Sequence, residues 1–200
     1  MRDESPAERR VALFGGTFDP IHRGHLYMAS EAQRQCFLNQ VIFIPCWQSP
    51  HKPDADSTDV GHRLEMTRLA TKGLPWAKVS DYETERREVS YSWQTTQHFK
   101  NQHPKAQLYW LLGADQWKVI DTWSLTDFLV EHLTFLVCPR GDQPIQSHSG
   151  LNSMILEGRF DAVGTDIRAE FKKNTHSAEL SKSLSPEVLT YINKQRLYRS

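Results

Sequence analysis

The chain has 200 residues, 38% hydrophobic and 24% charged, with 24 Lys+Arg against 24 Asp+Glu. That length buries a substantial core in about one domain. The neutral balance argues against the broad basic surface that nucleic acid demands, and no apolar run approaches the roughly 18 residues of a membrane span.

Residues 1–10 are polar and charged and read as a flexible extension ahead of a domain over 11–200. They lack the apolar core of a signal peptide, in agreement with an expected cytoplasmic location. Cys36, Cys46 and Cys138 are widely spaced and odd in number, so they read as buried free thiols rather than a disulfide or zinc site.

Val11, Ala12, Leu13 and Phe14 form a first apolar strand. Leu26, Ala29, Ala32 and Phe37 recur near helical spacing and predict a helix over 24–37. Val41, Ile42, Phe43 and Ile44 make a continuous apolar strand stopped by Pro45, as suits a parallel strand covered on both faces. A helix over 62–71, a short strand over 77–80 and a helix over 92–101 follow. The run 108–112 is a buried strand ending at Gly113. Short helices are predicted over 115–120 and 125–132, then a strand over 133–138 and a polar loop or arm over 141–152. A weak strand over 160–163 and helices over 166–173 and 186–195 complete the chain.

This alternation predicts an α/β fold: a Rossmann-like, doubly wound, mostly parallel sheet with helices on both faces and a small C-terminal helical part. Ligands in such sheets bind beyond the C-terminal ends of the strands, where strand order reverses. Gly15, Gly113 and the stretch after Ile44 all lie at such ends and can converge there.

Between the first strand and the first helix lies Gly15-Gly16-Thr17-Phe18-Asp19-Pro20-Ile21-His22-Arg23-Gly24-His25. Gly15 and Gly16 remove side chains where phosphate would meet backbone, and they permit dihedrals closed to other residues. Thr17 offers an N–H and a hydroxyl. His22 and His25 are one helical turn apart and share a face beside the amides of a helix N-terminus, which favour phosphate. A histidine there donates to non-bridging oxygens as charge develops. The run is neither a Walker loop nor a dinucleotide Gly-x-Gly-x-x-Gly, and it lacks zinc spacing.

This run resembles the nucleotidylyltransferase signature and, more narrowly, that of the bacterial nicotinate-nucleotide adenylyltransferases. Pro50-His51-Lys52, His62-Arg63-x-x-Met66, Glu83 with Arg87, Ser90-Tyr91, Gly113-Ala114-Asp115, Trp123, Pro139-Arg140, Thr165-x-Ile167-Arg168, Pro186-Glu187-Val188-x-x-Tyr191-Ile192 and Leu197-Tyr198 extend the likeness along the chain.

The resemblance implies transfer of AMP from ATP to nicotinic acid mononucleotide, with release of pyrophosphate, in NAD biosynthesis. Mg²⁺ enters with ATP, and no metal-ligating residue is assigned to the chain. By the same resemblance His22, His25 and Arg168 are catalytic. Gly15, Gly16, Thr17, Lys52, Gly113, Asp115 and Thr165 join them around ATP. Phe18, Trp47, Ser90, Trp123 and Arg140 face the acceptor, with the pyridine ring stacked on Trp123. Asp115 either positions a substrate or caps a helix.

Two departures from the family pattern stand out. The late phosphate motif, Ile-Ser-Ser-Thr-x-Ile-Arg in the family, is Ala162-Val163-Gly164-Thr165-Asp166-Ile167-Arg168 here, without the two serine hydroxyls. Gln94 replaces an aspartate. Two other readings stand beside the first: the same chemistry on another phosphorylated acceptor, such as nicotinamide mononucleotide or phosphopantetheine, and a non-catalytic nucleotide-binding protein. Oligomeric state is left open.

Overall fold

Side chains alternate between two faces along each central strand, and both faces are apolar. In the computed structural model, which describes residues 9–51, 57–141, 145–158, 164–173 and 178–199, this pattern produces a sheet buried on both sides. Among these residues six strands occur: β1 (Arg10–Gly16), β2 (Gln40–Pro45), β3 (Ala77–Val79), β4 (Gln107–Gly113), β5 (Leu133–Cys138) and β6 (Ser153–Ile155). Their order is β3-β2-β1-β4-β5-β6, and every pairing is parallel. Strand order therefore reverses between β1 and β4, as expected for a doubly wound sheet.

Ala12 and Phe14 of β1, Val41 and Phe43 of β2, and Leu136 and Cys138 of β5 face one core. Helices α1 (Arg23–Gln35), α2 (Val60–Thr71), α7 (Gly164–Lys172), α8 (Ala178–Ser183) and α9 (Pro186–Gln195) cover it through residues such as Ala29, Met66, Phe171, Leu184 and Ile192. Val11, Leu13, Ile42, Trp110, Phe135 and Val137 face a second core. Residues of α4 (Ser92–Gln102), α5 (Ala114–Trp117) and α6 (Thr126–His132) close that side through Phe99, Trp117 and Leu129. The two-residue period of strands thus sorts one continuous apolar run into two cores.

Several expectations need correction. The first helix ends at Gln35, not 37: Phe37 takes a left-handed φ of 51° and is 78% exposed. Cys36 and Leu38 fill the core where Phe37 was placed. Pro45 is the last residue of β2 rather than its stop, and Cys46 resumes the ladder by donating to the Gly16 carbonyl. The helix predicted over 115–120 splits into α5 and a 3₁₀ turn, Ile120–Thr122. The short helices α3 (Tyr82–Arg86) and α8 were not anticipated. The weak strand predicted over 160–163 lies outside the described residues; the sixth strand is Ser153–Ile155. Part of the polar arm before it is docked: the Trp117 indole donates to the Gln146 carbonyl at 2.7 Å, and Ile145 and Leu151 pack on the second core. All three cysteines are free and buried.

These contrasts predict opposite outcomes for two phenylalanines. Phe135→Ala, at a fully buried position, lowers unfolding stability by about 3–5 kcal/mol. Phe37→Ser changes it by less than about 0.5 kcal/mol. Urea denaturation of the two variants beside the parent chain checks both.

Candidate active site

A cleft of about 970 Å³ opens beyond the C-terminal ends of β1, β2, β4 and β5. Every sequence-predicted site residue in the described regions lines it; Lys52 lies outside them. The switch point therefore gathers residues spread over more than 150 positions of chain.

The histidines are the most constrained members. His22 has extended backbone and is the N-cap of α1. Its Nδ1 accepts the His25 N–H at 3.3 Å, and the His25 Nδ1 accepts the His22 N–H at 3.3 Å. The pair is thus a capping box made of two imidazoles. Their rings stack with centroids 3.6 Å apart and 20° between planes. With each Nδ1 accepting, each ring carries its proton on Nε2 and remains a neutral donor. Burial pushes His22 down to about 4, with a smaller contribution from Arg140. Burial, and then His22 itself, hold His25 well below the ordinary histidine value. No acidic residue occupies the first turn of α1, so its positive end faces the cleft unopposed.

The glycines act differently from the expectation. Gly15 and Gly16 are the last residues of β1 and neither adopts a left-handed φ. They make room for rings: a Cβ on Gly15 would come within 3.0 Å of Trp110, and one on Gly16 within 3.0 Å of Phe18. Phe18 itself is core. It is 2% exposed, takes φ 48°, and meets His25 edge to face at 5.0 Å. Its ring supports the histidine pair, and Phe18 also borders the cleft.

Arg63, 2% exposed, also lines the cleft. Its guanidinium donates to the carbonyls of Thr17 (2.7 Å), Cys46 (2.8 Å), Trp47 (3.2 Å) and Thr58 (2.8 Å). It ties together the stretches after β1 and β2 and the one before α2. Asp19, 8% exposed, is a second junction. Its Oδ2 accepts the Thr58 N–H at 3.1 Å, its Oδ1 accepts the Tyr198 hydroxyl, and its carbonyl accepts Arg168 Nη1 at 2.6 Å. Arg168 also reaches Thr165 Oγ1 at 3.5 Å, so the first turns of α7 are anchored to the histidine-bearing turn. Val163 lies outside the described residues, while Gly164 opens α7.

On the opposite wall, Ser90 Oγ accepts the Trp47 N–H at 3.0 Å, and Ser90 N–H donates to the Gln48 carbonyl. Its oxygen thus holds the Trp47 amide, and its hydroxyl also bonds the buried Glu83 carboxylate. Trp123 meets Trp110 edge to face at 5.8 Å, and the His51 ring lies over it at 6.2 Å. Its indole Nε1 is buried without a partner. Asp115 and Arg140, expected on different substrates, form an ion pair with each other. Gly113 is the N-cap of α5, so Asp115 is not the cap.

Arg63, Asp19 and Tyr198 were legible as motif letters but carried no assigned role. The buried Glu83 belongs with them: it lines the cleft and accepts the Thr95 hydroxyl, and burial pushes its carboxyl up. Gln94, in the first turn of α4, is not among the lining residues.

Two predictions follow from this geometry. His22 and His25 both sit below their unfolded value of 6.5. The unfolded chain therefore binds more protons as pH falls, and the cap's contribution is complete above pH 6.5 and lost toward pH 4. Urea midpoints decline across that window, and decline less steeply in His22→Asn, which keeps an acceptor without a titrating ring. Arg63→Met strands four carbonyls and costs about 3 kcal/mol or more. Arg63→Lys recovers little of that, because an ammonium cannot span the same acceptors; thermal unfolding of both variants provides the comparison.

Comparison with known proteins agrees with this arrangement. The cytidylyltransferase-like family model matches residues 13–181. A relative from Gloeobacter violaceus, named probable nicotinate-nucleotide adenylyltransferase, is 35% identical over 94% of this chain and 96% of its own. One of the same name from Moorella thermoacetica is 37% identical over 95% and 92%. Among solved structures, the Plasmodium falciparum nicotinic acid mononucleotide adenylyltransferase complexed with NaAD shares the fold, with TM-score 0.79 at 19% identity, over 96% of this chain and 98% of that one. With its histidine turn, parallel sheet and near full-length relatives all in agreement, the chain belongs to the nicotinate-nucleotide adenylyltransferase family of cytidylyltransferase-like proteins.

Proposed function

We propose that this protein transfers the AMP moiety of ATP to nicotinic acid mononucleotide, releasing pyrophosphate and forming the dinucleotide precursor of NAD. The observation that carries this reading is the reciprocal His22–His25 cap, which presents two neutral Nε2–H donors at the open positive end of α1. A phosphate oxygen of the mononucleotide attacks the α-phosphorus in line. The new phosphoanhydride bond forms as the bond from the α-phosphorus to the β-bridging oxygen breaks. No enzyme nucleophile is required, so catalysis rests on alignment and charge stabilisation.

In this reading His25 and His22 donate to the α- and β-phosphate oxygens, beside the backbone of Gly15, Gly16 and Thr17. Arg168 and Thr165 approach the triphosphate from α7, and Lys52 is assigned to the same phosphates from the sequence. Gly113 and Asp115 border the adenosine. Trp123 stacks on the pyridine, Trp47 faces it, and Arg140 turns from Asp115 toward the acceptor.

The carboxylates on the cleft are already engaged: Asp19 with Thr58 and Tyr198, Asp59 with the Gly61 amide, Asp115 with Arg140, Glu83 with Thr95 and Ser90. Among the described residues no cluster of three metal-ligating side chains exists. This donor set fits a Mg²⁺ that arrives on the triphosphate and takes its oxygens from phosphate and water. Bound there, it would neutralise charge on the departing pyrophosphate. No helix of the described residues is long and apolar enough to cross a membrane, and we place the enzyme in the cytoplasm, acting on small molecules without nucleic acid.

The test is pyrophosphate release from ATP and Mg²⁺ with the acid mononucleotide, the amide mononucleotide or phosphopantetheine as acceptor. Turnover is expected with the acid; preference for another acceptor, or ATP binding without turnover, overturns the reading. His25→Ala is expected to lower kcat by at least about 100-fold while circular dichroism is preserved. Trp123→Ala is expected to raise the acceptor KM by about tenfold or more and leave the ATP KM within about twofold.

A further inference from the structure

Tyr198 lies past the end of α9 and outside the cleft lining. Its backbone adopts a left-handed φ of 62°, a conformation that side-chain-bearing residues rarely hold without support. Its ring packs on Phe171 of α7, with centroids 5.8 Å apart. From that seat the hydroxyl donates to Oδ1 of Asp19 inside the histidine-bearing turn. Burial and the neighbouring carboxylate raise the phenol's pKa, so it stays protonated and donates throughout the neutral range.

Asp19 converts that contact into active-site geometry. It follows Phe18, whose ring supports His25, and precedes His22 by three residues. Its carbonyl is the acceptor of Arg168. Its second carboxylate oxygen takes the Thr58 amide, next to the carbonyl that Arg63 holds. One carboxylate thus receives donors from two distant stretches, and removing either leaves a buried oxygen unmatched. A second tether runs parallel: Arg23 Nε donates to the Leu184 carbonyl at 3.0 Å, fixing the start of α1 to the end of α8.

We propose that Tyr198 is a positioning residue for adenylyl transfer, clamping Asp19 so that the histidine pair and Arg168 keep their mutual register. This rests on the adenylyltransferase reading of the site, but the clamp itself can be read without turnover.

Tyr198→Phe keeps the ring on Phe171 and removes the hydroxyl, with its donation to Asp19 and its bond to the Thr58 side chain. The control is Tyr191→Phe, which breaks the 2.9 Å contact to His62 between α2 and α9 and leaves the hydrogen bonds of Asp19 in place. In ¹⁵N-labelled protein, Tyr198→Phe is expected to shift the ring resonances of His22 and His25, and Tyr191→Phe to leave them in place. In the pyrophosphate assay Tyr198→Phe lowers kcat about tenfold with both KM values within about twofold, because ground-state binding survives while alignment does not. Combined with Asp19→Asn, the loss is less than the product of the two single losses. Unchanged histidine resonances in Tyr198→Phe, equal shifts in Tyr191→Phe, or multiplicative losses overturn the clamp. Absence of turnover in the parent protein overturns the adenylyltransferase reading instead, and the resonance comparison still decides the clamp.

Discussion

One buried guanidinium holds the site together. Parallel strands end in a row at the C-terminal edge of the sheet, and there the chain leaves the ladder in diverging directions. The carbonyls of Thr17, Cys46, Trp47 and Thr58 lose their strand or helix partners at that edge. Arg63 collects all four from below. Taking a guanidinium out of water is costly, and these four hydrogen bonds offset that cost. Its acceptors are carbonyls rather than carboxylates, so the charge is not cancelled in an ion pair. It lines the cleft, where an anionic substrate would meet its field.

Around that centre the architecture divides its labour. The sheet supplies rigid strand ends; α1 supplies oriented amides and the histidines; α7 supplies Arg168. The connecting contacts are mostly side chain to backbone: Arg168 to the Asp19 carbonyl, Ser90 to the Trp47 amide, Arg23 to the Leu184 carbonyl. Such bonds fix loop backbone without depending on loop length. That explains how residues far apart in sequence share one cavity.

Much of this was legible in the sequence. Continuous apolar runs marked β1, β2, β4 and β5, because strands covered on both faces cannot afford polar positions. The Gly15–His25 run marked the site, because few sequences join glycines, a turn and paired histidines for any other purpose. Less legible was what short-range pattern does not encode. Phe37 looked like the next apolar step of α1, but the chain turns left-handed there and turns the ring outward. Strand β6 is three residues long with exposed side chains, too short to announce itself by period. Ser90, Asp115 and Arg140 carried the right chemistry, yet Asp115 pairs with Arg140 and Ser90 with the Trp47 amide and Glu83, and pairing across the fold is invisible in one dimension. Arg63 read as a helix letter because nothing local reveals that a charge will be buried.

The imidazole capping box has an evolutionary corollary. Serine, aspartate or asparagine at the N-cap of α1 would cap the helix at least as well by itself. An aspartate, however, would set a negative charge between the helix amides and an incoming phosphate, and a short hydroxyl would reach the backbone but present nothing outward. A ring can do both, spending one nitrogen on its own helix and keeping the other for the ligand. Selection for thermostability alone would therefore drift away from these histidines, and a consensus-stabilised version of this helix would be a firmer protein with a poorer phosphate site.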